Sequence, residues 1–447
     1  MGLSERLENV TVIGAGGKMG SGIALLLAVE MAKRRIGPEG KERGFRLNLM
    51  DTRDDALDDL VEYIRSQATK IAEKSAVELR RLYAGREDLV ENGEIIAEFV
   101  TECTRKIRLS TDLSAARDSR MVFEAIIENE DVKKKVYGEL KKICSPETFF
   151  FTNTSSIPIG MLDETAGLEG RLIGFHFYNP PPIQKLVELI PSKRTRPELV
   201  DLARELGKAL RKKLIPSNDV AGFIGNGHFI RDGLFGISLV EKLSKEHGYP
   251  SAVYMVNKVT QDFLVRPMGI FQLIDYVGVD VFQSILTVMN RHIPNAGLES
   301  GLVETYVARG VLGGQHPGGA QKDGFLKYGK RGPEGVYDLE KGEYLSFDPE
   351  GWTGKADEKL GPLPAEWAPW KALLRDPAKD EKLAAYFSAL WKADTLGAKL
   401  AGDYMKNSAE IAKGLVADGV AASVEDVNGV LMNGFYHLYG AVNDFVQ

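Results

Sequence analysis

The stretch VTVIGAGGKMGSGIALLLAVEMAKR, residues 10–34, constrains the fold more than any other part of the chain. A short β-branched run leads into four glycines within seven positions, and the apolar spacing then turns helical, so the order is strand, tight turn, helix. A helix that starts straight from a glycine turn points its unbonded amides and the positive end of its dipole at the strand's end. The turn is therefore a candidate seat for the pyrophosphate of a dinucleotide, lined by Gly14, Gly16, Gly17, Met19 and Gly20. One residue more than usual separates the second and third glycines of the pattern, which predicts an enlarged or shifted turn.

Runs of strand length follow at 45–50, 121–126, 148–152, 171–175 and 185–190, with helical patterns between several of them. Such alternation predicts a Rossmann-type α/β fold, a doubly wound and mostly parallel sheet, over residues 1–217. Asp51 closes the second run, where a carboxylate accepts hydrogen bonds from both ribose hydroxyls and repels a 2'-phosphate, which favours NAD over NADP. RRIGPEGKERG (34–44) reads as an insertion ahead of that run. Residues 54–106 are too long for a simple crossover and carry charges at helical spacing, so they read as a helical hairpin protruding from the sheet. From about 222 to 308 the pattern is helical, within an all-α domain taken as 218–330. Residues 331–447 read as a loop-rich linker and a helical C-terminal extension. Glycine, proline and tryptophan dominate 313–370 as loops wrapping a surface, and helices resume near 379. SLVEKLSKEHGYPSAVYMVNKV (238–259) and EIAKGLVADGVAASVEDVNGVL (410–431) both read as a helix, a glycine break and a second helix opening at a serine, a partial repeat of the 218–330 domain.

Composition closes off several functions. A formal net charge of -6 over 447 residues supplies no basic field for nucleic acid. Cys103 and Cys144 are the only cysteines, and neither sits in a C-x-x-C or a Cys/His cluster, so no metal site or disulfide framework is expected and a reducing cytoplasm suits the chain. MGLSERLENV lacks an apolar signal core, and no run approaches the roughly 18 apolar residues of a membrane span, so no membrane partner is expected.

GFHFYNPPPIQKLVEL (174–189) sets His176 and Glu188 on either side of a proline turn inside an otherwise apolar segment. A histidine titrates near neutral pH, so it can take a hydroxyl proton while hydride leaves the same carbon for a nicotinamide ring, and a carboxylate neighbour orients it and stabilises its charged form. In a parallel sheet the C-terminal strand ends share one edge, which would bring Asn153 and Ser155 of NTSS beside His176, with Asn179 on the same edge and Glu188 within or just beyond the sixth run. The plainer alternative is a core histidine satisfied by its neighbours.

These segments resemble the 3-hydroxyacyl-CoA dehydrogenase family in VTVIGAGGKMGSGIA, FEAIIEN, TNTSSIPI, GFHFYNPPPIQKLVEL, GFIGN and PMGIFQLIDYVGVD, in the family's order, over about residues 8–330. The resemblance implies His176 as base and Glu188 as its partner, with Ser155 and Asn226 hydrogen-bonding the reacting oxygen and Asn179 near the nicotinamide. It also puts Ala125, Glu128, Lys133 and Asn153 around the cofactor. Lys70 and Lys74 of the hairpin could meet CoA phosphates, or simply form a solvated face. The implied activity is NAD-dependent oxidation of a 3-hydroxyacyl-CoA, as in the β-oxidation of fatty acids. A dehydrogenase of a free 3-hydroxy acid or sugar acid stays open, as does a non-catalytic dinucleotide-binding protein. The family's helical domain pairs across a dimer, so the expectation is a homodimer, or a monomer in which the extension serves as an intrachain pseudo-dimer partner.

Overall fold

In the computed structural model, which describes residues 1–38, 40, 43–316 and 319–445, the first unit, Met1–Asp219, opens with helix α1 (Leu3–Arg6), strand β1 (Asn9–Ile13), helix α2 (Lys18–Ile36) and strand β2 (Arg46–Met50). The insertion at 34–44 begins as the last turn of α2, and Glu39, Lys41 and Glu42 lie outside the described residues. Helices α3 (Asp55–Asp58), α4 (Leu60–Lys74), α5 (Ala76–Leu82) and α6 (Asn92–Thr104) form the predicted hairpin. Its helices α4 and α6 pack on each other and on α2, burying Ile64, Ala68, Ala72 and Phe99 completely.

Strand β3 (Ile107–Ser110) comes next, followed by β4 (Met121–Glu124), α7 (Glu130–Ile143), β5 (Phe149–Thr152), α8 (Ile159–Ala166), β6 (Leu172–Phe177), β7 (Leu186–Ile190), α9 (Pro197–Ala209) and β8 (Lys213–Pro216). The eight strands form one sheet in the order β3-β2-β1-β4-β5-β6-β7-β8. Its central strands β4, β5, β6 and β7 are buried at every position, as strands covered on both faces must be. Phe123, Phe151, Phe175 and Phe177 stack edge and face in a row through the layer beneath them. Strands β1 to β6 run parallel, but β7 is antiparallel to β6, and β8 follows β7.

The second unit, Val220–Gln447, holds α10 (Phe223–His247), α11 (Tyr249–Lys258), a π-helical turn (Val259–Phe263), α12 (Ile270–Val277), α13 (Val279–His292) and α14 (Gly301–Ala308). What the sequence reads as loops at 313–370 contains a three-stranded antiparallel sheet, β9 (Leu326–Gly329), β10 (Gly332–Asp338) and β11 (Glu343–Ser346). The expected boundary at 330 therefore falls inside the two-residue turn that joins β9 to β10. Glycines at 329, 332 and 335 lower the strand signal there, and only the last four residues of β10 are buried. Helices α15 (Trp352–Leu360), α16 (Trp370–Leu373), α17 (Lys379–Leu390), α18 (Leu396–Ala417) and α19 (Val424–Gly434) complete the unit around one continuous core.

Within this unit two segments carry the same backbone landmarks at a constant offset of 171 residues. Gly248 (φ +76°) corresponds to Gly419 (φ +70°), and Val265 (φ +49°) to Tyr436 (φ +57°), positions where left-handed backbone is uncommon for a side-chain-bearing residue. Gly269 lies hard against the Asn257 side chain as Gly440 does against Asn428. Each asparagine then accepts a backbone amide through its Oδ1, from Gln272 and Val442 respectively, both at 3.2 Å. The sequence places a serine at the start of both second helices. Ser423 does cap α19, but α11 starts from Gly248 with Pro250 in its first turn, and Ser251 sits inside it.

Candidate active site

The glycine turn is sterically enforced at three of its four glycines. A Cβ on Gly14 (φ +77°) would come within 2.6 Å of the Ala125 carbonyl, one on Gly16 within 2.5 Å of Ala56, and one on Gly20 within 2.0 Å of the Gly14 carbonyl. Gly17 has room to spare and serves as the N-cap of α2. Met19 follows in the first turn of that helix, half-buried, and Ala125 stands directly after β4. At the end of β2, Asp51 accepts a hydrogen bond from the Gly16 amide at 3.0 Å and another from Arg53 at 3.1 Å. A glycine cradle that side chains would fill, a helix N-terminus above it and a carboxylate beside it fit the pyrophosphate and ribose of a dinucleotide.

His176 and Glu188 meet in a way that strand order alone did not suggest. Because β7 is antiparallel to β6, Glu188 is not at a strand end; it is the cross-strand partner of His176, and directly opposed residues project from the same face. Nδ1 of His176 lies 3.1 Å from Oε1 of Glu188, and the carboxylate is fully buried. Tyr178, two residues along β6 from His176, donates its hydroxyl to the same oxygen at 2.8 Å and packs its ring against the imidazole, centroids 4.9 Å apart. Burial, then the Glu188 carboxylate, pushes the Tyr178 phenol well above its ordinary value, so it stays a donor. The sequence reading missed Tyr178, although period-2 alternation puts it on the face of His176.

The NTSS loop after β5 is held by a buried charge network. Lys133 Nζ bridges Glu124 at 2.6 Å and Glu128 at 3.4 Å. Glu124 also accepts from Thr152 at 2.7 Å and Tyr137 at 3.0 Å. Glu128 takes hydrogen bonds from the Thr154 hydroxyl (2.6 Å), the Ser155 amide (2.8 Å) and the amide and hydroxyl of Ser156 (3.0 and 2.9 Å). Burial alone would raise Glu128; Lys133 and these donors outweigh it and hold the carboxyl below its ordinary value. Burial would likewise lower Lys133, and the two glutamates hold it above. Thus Glu128 and Lys133, expected around the cofactor, are engaged in fixing the loop that presents Ser155. Asn153 pins the same loop to β6, its Oδ1 accepting from the Phe177 amide at 2.8 Å. Glu124 and Tyr137 escaped the sequence reading; the available signal was a lone acid in the apolar strand MVFE.

The remaining expected residues lie on other segments. Asn179 opens the corner after β6, half-buried, and its peptide bond to Pro180 is cis. Lys70 and Lys74 are exposed on α4, on the side away from Ile64, Ala68 and Ala72. Asn226 belongs to the second unit, in the first turn of α10.

Two family models match the chain: "3-hydroxyacyl-CoA dehydrogenase, NAD binding domain" over residues 9–220 and "3-hydroxyacyl-CoA dehydrogenase, C-terminal domain" over 239–328. The mitochondrial hydroxyacyl-coenzyme A dehydrogenase of Sus scrofa is 31% identical over 283 residues, 63% of this chain and 79% of that protein. A probable 3-hydroxybutyryl-CoA dehydrogenase of Deinococcus radiodurans is 30% identical over 318 residues, 71% of this chain and 99% of that protein. Among solved structures, 3-hydroxybutyryl-CoA dehydrogenase from Escherichia coli K12 shares the fold over 98% of this chain and 90% of its own, with a TM-score of 0.64 at 21% identity.

Proposed function

Since the chain belongs to the 3-hydroxyacyl-CoA dehydrogenase family and is an NAD-dependent oxidoreductase, we propose that it oxidises the 3-hydroxyl of a 3-hydroxyacyl-CoA thioester to the ketone with His176 as general base and Glu188 as its orienting partner. The observation that supports this most is the cross-strand register, which sets Nδ1 of His176 3.1 Å from a fully buried carboxylate. Bonded to Glu188, Nδ1 carries the proton, so the lone pair is on Nε2, the atom that takes the hydroxyl proton as the C3 hydrogen departs as hydride. NAD, when bound at the glycine turn, supplies the nicotinamide ring that accepts that hydride. The imidazolium left behind is stabilised by Glu188, whose Oε1 also accepts from Tyr178. On this reading the Ser155 hydroxyl, on the loop locked by Glu128 and itself 3.4 Å from that carboxylate, binds the reacting oxygen.

A His176→Ala variant should lose turnover about 100-fold or more, the size of a removed general base, while NAD affinity stays nearly unchanged. Wild-type turnover in that variant would sink the mechanism. NADH formation across 3-hydroxyacyl-CoA esters, starting from 3-hydroxybutyryl-CoA and set against the matching free acids, tests the substrate class. Faster oxidation of a free acid would overturn the thioester assignment.

A further inference from the structure

The corner between β6 and β7, residues 178–185, carries Asn179 and separates His176 from Glu188. Three of its residues are prolines without an amide hydrogen, and its backbone bonds include those from Ile183 and Gln184 to the Pro180 carbonyl, both at 3.0 Å. It is braced from outside at two points. Gly22 of α2 lies so close that a Cβ there would come within 2.8 Å of Pro181 and 2.9 Å of Pro182. From the other side Lys212, the residue before β8, reaches in: its ammonium donates to the Pro181 carbonyl and, at 2.7 Å, to that of Gln184, 5.9 Å from the centre of the Phe177 ring.

Lys212 forms no ion pair among the described residues. Charged or titratable groups on the elements around it include His176, Tyr178, Lys185 and Glu188 on the hairpin, Lys213 beside it on β8, Lys18 and Glu30 on α2, Lys208 on α9, and Arg211 with its partner Glu78; none forms an ion pair with it. Its charge is therefore half-buried without a counterion, and loss of solvent pulls it down to about 8. Burying an unpaired cation is unfavourable, and the carbonyls of Pro181 and Gln184, which accept from it, offset part of that cost.

We propose that Lys212 is a positioning residue for the dehydrogenation: by clasping the carbonyls of Pro181 and Gln184 its ammonium fixes the corner and, through it, His176 opposite Glu188. The proposal rests on the reading of His176 as base, but the two fail separately, since His176→Ala removes the base and turnover at every pH, whereas loss of Lys212 leaves a lowered turnover whose alkaline fall is gone. A deprotonated Lys212 has lost the charge that strengthens both bonds, so turnover should fall as pH rises past about 8, on top of the rise expected when an imidazole base becomes neutral. Stability moves the other way. The unfolded chain keeps its proton to about pH 10.4, so between about 8 and 10.4 it binds more protons than the folded chain, and the fold gains stability with pH. A loss of turnover there is then not unfolding.

The test compares kcat and KM of the wild-type enzyme, Lys212→Met and Lys212→Arg with NAD and 3-hydroxybutyryl-CoA over about pH 6 to 10. Lys212→Met should lower kcat by about tenfold with both KM values within about threefold, and its profile should lack the alkaline fall. Lys212→Arg should restore most of kcat and move that fall beyond the range, because a guanidinium stays charged. A kcat for Lys212→Met within about twofold of wild type, or an alkaline fall that persists in it, overturns the proposal. Should that variant not fold, hydrogen exchange of residues 183–188 in the wild-type protein decides: protection, corrected for intrinsic rate, that drops above about pH 8 supports it, and constant protection refutes it.

Discussion

Asp51 shows how much one residue can settle and what it leaves open. Its carboxylate already bonds the Gly16 amide, so the residue expected to meet the ribose also closes the glycine turn, and the lengthened glycine spacing has not carried it away. Asp51→Ser should therefore narrow the preference for NAD over NADP by about tenfold, the effect of removing ~1.4 kcal/mol of repulsion, measured as the ratio of kcat/KM for the two cofactors. An unchanged ratio would assign the discrimination to another group, Arg53 being the nearest cation along the chain. Residues of this kind were legible in the sequence because a charge ending an apolar run has few explanations. His176 and Glu188 were visible for the same reason. Lys133 and Glu128 were visible only through resemblance, and their bonds to Glu124 and to the Ser155 loop needed coordinates, since nothing in spacing says which of several buried charges pair.

At the scale of elements, the parallel strands could be read because each is a short apolar run followed by a helical pattern. The reversal at β7 could not. Hydrophobic periodicity is the same in both directions along a strand, so KLVELI looks alike parallel or antiparallel, and only the eight-residue connection hinted that no crossover intervenes. The β9–β11 sheet was missed because its order comes from outside itself. Asp275 in α12 is fully buried and accepts from the Phe325 and Leu326 amides at 2.7 and 2.9 Å and from the Tyr328 hydroxyl at 3.0 Å, tying the first strand of that sheet to the helix. The acid in QLIDYVG is thus a structural keystone. Asp275→Ala would strand two buried amides and cost about 3 kcal/mol or more, which urea unfolding of the variant would register as a lower midpoint. An unchanged midpoint would mean that water or a shifted backbone replaces the carboxylate.

For the whole molecule the question is what the C-terminal 50 or so residues are for. The constant offset from Gly248–Gly269 to Gly419–Gly440 supports reading them as a shortened second copy of α10, α11 and the turn that follows. The copy carries glycine at 397, where the offset aligns Asn226, so its contribution would be packing. Its first helix lies antiparallel on α10: Gly227 meets Leu415, His228 bonds Ser408 at 3.0 Å, and the Tyr404 hydroxyl donates to the Asp232 carbonyl at 2.7 Å. Asp232 in turn pairs with Arg266 at 2.9 Å, both buried, beneath the Tyr404 ring. A homologous copy on the same chain meets α10 at high effective concentration, ahead of any second molecule. Removing residues after about 379 would uncover the glycine face of α10 and leave the Asp232–Arg266 pair without its cover, an apolar patch around a charge that water would enter. The truncated chain should aggregate or form a new dimer, seen as a larger mass by light scattering and as dye binding to exposed apolar surface, while the first unit keeps its NAD affinity. A truncated protein with the oligomeric state and the melting temperature of the full chain would show that the extension is not a substitute partner for α10.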